Sequence, residues 1–521
     1  MALSPDTRML GARAVAGPCG ARHPSLVRAG NRAARNTTFL VVIAWLTGAL
    51  GTEVEAQAPD RTMRPALGPM PRVNLPDAQR FALDHGLEIV LVEKREVPLV
   101  QINVQIRAGA AFDPQQSPGL ASLTADMLDE GAGGRSALDL ADAFEQLGAR
   151  FNINAGRHIA TMSLRVPVAR LDDALALART VILQPDFPAE ELQRKRDERL
   201  TALIRRHDEP NAIAEVLFQE VVFGKDHPYG RSAIGNEAFL RTVTPDHLRE
   251  FHSRHYVANN ASVIVVGAVD ATAVRATIER AFGEWQRGNA PELQLQEPSQ
   301  VNDRTIYLVD KPGAVQSVIA MGRVGAARDD SSYYALEVMN TILGGSFTSR
   351  LNQNLREDKG YTYGAGSRFD HGLVKGSFGA GAAVQTQSTG PALAEFMKEL
   401  RAIREPIATA EFERARNNLA TSFIQGFQSV AQVAAQIGDV REFGLTADWL
   451  DGYVSNVLAV TPADAARVAR DAIDPDNIAI IVVGDRGQIE AQIRALNLGD
   501  IRVLSVTDVL GPVPVMGRPT S

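Results

Sequence analysis

Apolar and polar positions along the chain write one order of elements twice. In the first half, residues 87–93 and 99–107 read as paired strands. A long helical stretch follows from Gly119. Next come a second strand pair at 150–155 and 161–166, a helix over 171–183, and a helix opening on Ala189-Glu190-Glu191. The second half repeats the plan. Strands at 305–309 and 317–323 are expected to pair, and a long helical stretch starts at Ser331. Strands at 362–369 and 375–383, a helix over 390–403 and a helix opening near Glu411 complete it.

The repetition becomes literal near the end of each half. Val243-Thr244-Pro245 and Val460-Thr461-Pro462 are 217 residues apart, and so are Asn260 and Asn477, Ile264 and Ile481, and the Val-Val-Gly runs ending at Gly267 and Gly484. In both copies Thr suits the N-cap and Pro the first helical turn. The helix then leads through Asn into a β-branched strand that stops at Gly. Strand runs beside helix runs predict α+β lobes, each a mostly antiparallel sheet covered by helices. The organisation read from the sequence is a leader over 1–58, a Pro-rich extended lead-in over 59–80, a first lobe over 81–285, a polar linker over 286–302, a second lobe over 303–505, and an extended or unstructured tail over 506–521.

Composition narrows the options. The 521 residues are 45% hydrophobic and 22% charged, ordinary for a globular protein. The net charge is −7. The first 58 residues hold six Arg against Asp6, Glu53 and Glu55, so the rest carries −7 − 3 = −10. That balance argues against a nucleic-acid partner. The Arg-rich start, the apolar run of residues 39–50 and Ala56-Gln57-Ala58 read as an export signal. The expected location is the periplasm; the alternative is an uncleaved anchor that leaves the protein facing that compartment. The only cysteine, Cys19, lies in the leader, so the exported chain has no disulfide or thiol chemistry.

Three segments carry a family resemblance. Asp226-His227-Pro228-Tyr229-Gly230, Leu343-Gly344-Gly345-Ser346-Phe347-Thr348-Ser349-Arg350-Leu351 and Leu355-Arg356-Glu357-Asp358-Lys359-Gly360-Tyr361-Thr362-Tyr363 resemble stretches of the insulinase/pitrilysin metallopeptidases, in particular their processing-peptidase branch. The resemblance covers residues 80–505 and implies two homologous lobes acting on peptides.

Active members of that family carry H-x-x-E-H on a helix. Residues i and i+4 bring two imidazoles to one zinc ion, and the glutamate serves as general base. A further Glu ligand comes from a later helix. Here the corresponding positions are Ser122, Ala125 and Asp126, and the later Glu falls near Ala202. A hydroxyl and one carboxylate do not replace that cage, so no metal is expected on this chain. His247, His252 and His255 lie close together but lack a carboxylate arrangement for catalysis. His158, His207 and His371 read as isolated surface or loop histidines. There is no G-x-S-x-G elbow and no Lys-Ser/Thr after Gly131-Ala132-Gly133-Gly134, which excludes the commonest serine-hydrolase and phosphate-loop chemistries.

What the resemblance retains is an Arg and a Tyr seven residues apart, at Arg356 and Tyr363. In the family this pair points from the second lobe across to the zinc of a first lobe, or of a partner subunit. It donates hydrogen bonds to the substrate carbonyl and the developing oxyanion. Of Tyr361 and Tyr363, one is expected to pack inward and the other to face the chamber. Gly344 and Gly345 form a flexible turn lining that chamber. The implied function is the non-zinc subunit of a two-chain peptidase, with a homologous H-x-x-E-H subunit holding zinc in a heterodimer. The alternative is a catalytically inert peptide-binding or assembly scaffold of the same fold.

Overall fold

The computed structural model describes residues 78–516. The leader, Cys19 and residues 59–77 of the lead-in lie outside them.

Two six-stranded sheets organise the chain. The first contains β1 (Gln79–Ala82), β2 (Glu88–Glu93), β3 (Leu99–Ile106), β4 (Arg150–Ala155), β5 (Ala160–Pro167) and β6 (Ala261–Gly267), in the order β1-β2-β6-β3-β5-β4. The second contains β7 (Thr305–Asp310), β8 (Gln316–Val324), β9 (Thr362–Asp370), β10 (Ser377–Gln385), β11 (Ala479–Gly484) and β12 (Asp500–Ser505), in the order β9-β10-β8-β11-β7-β12. Most neighbours are antiparallel; β2–β6, β11–β7 and β12–β7 are parallel. The protein is α+β with two lobes of matching plan.

The expected pairing of the first two strands in each lobe is wrong. β6 lies between β2 and β3, and β11 between β7 and β8. The inserted strands are the Val-Val-Gly repeats themselves, and every residue of both is buried. An all-apolar run buried on two faces stabilises the sheet most from its centre. The short links 94–98 and 311–315 therefore step over the end of a strand, about 10 Å or two strand spacings.

The helical stretches are also shorter than expected. α1 (Leu120–Asp126) ends before a hairpin of Gly131–Ala132 with Arg135–Ser136, where Gly133 and Gly134 take positive φ. In the second lobe the helix Tyr333–Leu343 stops at Gly344, and winding resumes at Arg350–Asn352.

One face of each sheet packs on helices of its own half. In the first lobe α1 and α2 (Ala189–Arg206) contribute Leu120, Leu123, Leu192 and Leu200 to a core with Ile102, Val104 and Leu164. The opposite faces are covered reciprocally. α3 (Pro210–Phe223) starts with Pro at its first turn and carries Ile213, Ala214, Leu217 and Phe218 on one stripe. It seats that stripe on Val318, Ile481 and Val483 of the second sheet. α4 (Val430–Glu442) sets Val430, Val433, Ala434 and Ile437 on Val90, Val92, Ile264 and Val266 of the first sheet. Adding 217 to Ile213 gives Val430, so α3 and α4 are the same repeat element, exchanged.

The lobes also meet at polar contacts. His158, buried, bonds Glu442 at 2.8 Å and the Tyr229 hydroxyl at 2.7 Å. The same hydroxyl accepts from the Leu373 amide at 3.0 Å, and Arg157 pairs with Asp370 at 2.6 Å. His158 is thus an interlobe tie rather than a surface group. The tail departs from expectation too: Val506–Leu510 forms α5, capped by Ser505, and Val509 enters the core around α3. Beyond it, Gly511 O accepts from His207 and Val515 O from Arg241.

Candidate functional site

α1 carries Ser122, Ala125 and Asp126, the positions that the resemblance sets against the zinc motif. Its N-terminus is capped from a distance by the buried carboxylate of Asp113, which accepts from the Gly119 and Ala121 amides at 2.6 and 2.7 Å. Burial pushes the Asp113 carboxyl up to about 7, against the pull of those two amides. Gly119 and Gly235 both sit at φ +90°, with the loop 233–235 lying directly on the start of α1. A Cβ on Gly119 would come within 2.6 Å of the Gly235 nitrogen.

Ser122 and Asp126 lie one turn apart on one face of α1, and both are engaged by a residue that sequence reasoning missed. Arg199 of α2 donates from Nη2 to Asp126 Oδ2 at 2.6 Å and from Nη1 to Ser122 Oγ at 3.0 Å. Nη1 also lies 3.3 Å from the carbonyls of Gly119 and Ile234. The Arg199 side chain is only 9% exposed. The Ser122 hydroxyl donates to Ala233 O. Ala125 is buried, and Ala202 sits one turn beyond Arg199 on the same side of α2. Arg199 falls three residues before the position where the family's last ligand is expected, which was the one signal available in the sequence.

This donor set does not fit zinc. It offers one carboxylate, already paired, and one hydroxyl, already bonded; a zinc site needs three protein ligands or more. Among the described residues no group of three or more His, Cys, Asp or Glu side chains is arranged to hold a metal ion. The histidine trio is committed to structure. His247 closes a capping box with Thr244, and His252 bonds Ile182 O at 2.8 Å. His255 is buried between Phe112 and Phe251, and that burial lowers its imidazole to about 4.

Arg356 and Tyr363 come from adjoining but different elements. Arg356 lies in a π-wound turn, Gln353–Asp358, where the helix is overfilled by a residue and its side chains are re-aimed. Tyr363 lies near the start of β9, the edge strand of the second sheet, and is 90% exposed. Tyr361 instead packs on the second core. Positions two apart in a regular strand share a face. The rings part here because Tyr361 precedes β9 and the pairing with β10 slips between Thr362 and Ala365. The Arg356 guanidinium reaches Glu357 at 3.3 Å and stacks on Phe347, which is 64% exposed.

The Gly344-Gly345 turn is tightly packed. A Cβ on Gly344 would lie 2.2 Å from the Ser367 nitrogen, and one on Gly345 2.8 Å from Asn340 Nδ2. Asn352 then donates to Phe347 O at 2.7 Å and accepts from the Ala365 amide at 3.3 Å, joining this turn to β9. A separate cavity of about 840 Å³ opens between α2, α3 and the tail, lined by Arg206, Glu215, Tyr229, Arg231 and Val509. Arg356, Tyr363, Ser122 and Asp126 do not line it.

The profile described as "Insulinase (Peptidase family M16)" matches residues 88–233, and that described as "Peptidase M16 inactive domain" matches residues 242–419. The chain belongs to the insulinase family. Among its relatives within M16, a Rickettsia bellii protein named "Uncharacterized zinc protease" is 26% identical over 363 residues, covering 68% of this chain and 85% of that protein. The Bacillus subtilis "Uncharacterized zinc protease YmxG" is 25% identical over 403 residues, covering 76% and 96%. The crystal structure of a peptidase M16 inactive domain from Pseudomonas fluorescens superposes with a TM-score of 0.74 at 25% identity, covering 78% of this chain and 98% of that one. A Helicobacter pylori protease shares the fold, with a TM-score of 0.72 at 20% identity over 79% of this chain and all of that one. This insulinase-family chain is therefore a homologue of zinc proteases with the character of the family's inactive domain.

Proposed function

We propose that the protein is the non-zinc subunit of a two-chain insulinase-type peptidase that acts on peptides. In this reading the chain binds no metal, and zinc belongs to a homologous H-x-x-E-H subunit of the heterodimer. Arg356 and Tyr363 act in trans. The guanidinium and phenol donate to the scissile carbonyl and to the oxyanion as it forms, an interaction stronger in the transition state than in the ground state. The carrying observation is the exposure of Tyr363 on the strand that packs against the π-wound turn carrying Arg356, on a chain whose Ser122 and Asp126 are engaged by Arg199. A phenol that open to solvent stabilises nothing within its own lobe. The export-signal residues favour the periplasm as the place of action.

The test is reconstitution of the mature chain with the H-x-x-E-H homologue encoded in the same genome. The chain alone is expected to cleave no peptide, and the pair to cleave. Arg356→Ala or Tyr363→Phe in the pair is expected to lower kcat about 100- to 1000-fold, the effect of removing an oxyanion donor. Full activity with both changed would leave the scaffold reading. Cleavage by the chain alone, abolished by a chelator, overturns the proposal.

A further inference from the structure

We infer that Arg199 is a built-in replacement for the missing metal: its guanidinium closes the former ligand positions, ties α1 to α2, and bars a divalent cation. The inference extends the metal-free half of the reading above to its cause, and rests on that half.

A zinc ion in this fold would hold side chains of α1 and α2 around one doubly charged cation. Arg199 supplies a positive charge from α2 and directs it to the same two α1 positions, 122 and 126, whose i,i+4 spacing puts them on one face. It goes further by lying 3.3 Å from the Gly119 and Ile234 carbonyls, so one guanidinium fork gathers α1, α2 and the loop 233–235. The Asp126 carboxylate balances it at 2.6 Å, which is what allows a cation so little exposed. Ser122 suits the arrangement because its oxygen accepts from Arg199 while its hydrogen goes to Ala233 O. Ala125 and Ala202 leave the guanidinium room and set no competing carboxylate beside it. The four positions thus form one coherent set: no ligand cage, and a cation in its place. A divalent ion placed here would meet a fixed positive charge that cannot be deprotonated.

Two experiments on the mature full chain test this. The first measures bound zinc after incubation and dialysis. Wild type is expected to retain none. The variant Ser122→His/Ala125→Glu/Asp126→His/Ala202→Glu with Arg199 in place is also expected to retain none, and adding Arg199→Ala is expected to yield about one equivalent. Zinc in the four-site variant while Arg199 remains, or in neither variant, overturns the inference. Stoichiometric zinc in wild type sinks the metal-free reading itself, a different result. The second is thermal unfolding. Arg199→Met is expected to lower the midpoint by about 5–10 °C, the size expected when charge-assisted hydrogen bonds to Asp126 and Ser122 are lost in a lobe of this length. Adding Asp126→Asn should recover part of that loss, and Arg199→Lys should lose less. If Arg199→Met fails to fold, the double variant and the Lys variant carry the comparison. Midpoints within 1 °C of wild type throughout overturn the tie.

Discussion

The Arg356 guanidinium carbon lies 4.7 Å from the centroid of the Phe347 ring. The residue held and the residue holding it come from opposite ends of the Gly-Gly turn and the π-wound segment, and Asn352 pins the turn between them. A cation over an exposed ring gains about 0.5–1 kcal/mol. That is too little to matter for folding, and enough to bias where a flexible side chain points.

Phe347→Leu in the reconstituted pair is therefore expected to lower kcat about 2- to 5-fold, from about 0.5–1 kcal/mol of lost orientation. KM and the melting temperature should stay close to wild type, and Phe347→Tyr should restore the rate. Steady-state kinetics beside a thermal melt provide the check.

The interlobe tie should respond to a single oxygen. Tyr229→Phe leaves His158 Nε2 and the Leu373 amide without their partner. Each orphaned buried group costs about 1–3 kcal/mol. The expected outcome is a lower unfolding midpoint and faster exchange of the Leu373 amide, read by hydrogen-exchange mass spectrometry. Unchanged exchange at Leu373 would show that the hydroxyl does not hold the lobes.

Helix exchange makes each lobe depend on the other half of the chain. Ile437→Ala, in α4, is expected to cost about 2–4 kcal/mol. It should loosen β2 and β6 of the first sheet, which α4 covers, before β8 and β11 of the second. Strand-resolved hydrogen exchange distinguishes this from loosening confined to the second lobe, which contradicts it.

Asp113 predicts a pH effect with a definite sign. Its carboxyl rises from the ordinary value near 3.8 to about 7 in the folded protein. The folded state thus holds the proton more tightly than the unfolded one. The corresponding stability is fully present below about pH 4 and lost as pH climbs to about 7, a span worth up to roughly 4 kcal/mol at about 1.4 per tenfold change in affinity. His255 runs the other way: lowered to about 4, it loses stability as pH falls from 6.5. Asp113→Asn should remove the loss between about pH 4 and 7 while leaving the fall that His255 causes as pH drops from 6.5. Urea unfolding across that range measures it, and parallel curves for the two proteins would refute it.

Much of this was legible from the residues. Short apolar runs marked most of the strands, and the 217-residue offset marked two copies of one α+β unit. The resemblance set Ser122, Ala125 and Asp126 against the H-x-x-E-H positions. Arg199 was not legible, because on a line of letters it is one of three arginines in Gln193-Arg194-Lys195-Arg196-Asp197-Glu198-Arg199, and its only mark is that it lies three residues before the position expected for the last ligand. Phe347 read as part of a glycine-rich turn, since its contact with Arg356 depends on a π-wound segment that periodicity does not encode.

Alone, the sequence determined most of the strands, several of the helices and that the plan occurs twice, because hydrophobic pattern and capping act within a few residues; α3, α4 and α5 were not among them. Tertiary structure decided the rest: that β6 and β11 enter between strands expected to pair, that α3 and α4 trade lobes, and that a guanidinium stands across from Ser122 and Asp126. Those outcomes depend on which buried face finds which partner across a hundred residues or more. Apolar surface is non-directional, so composition demands that such faces be covered without saying by what.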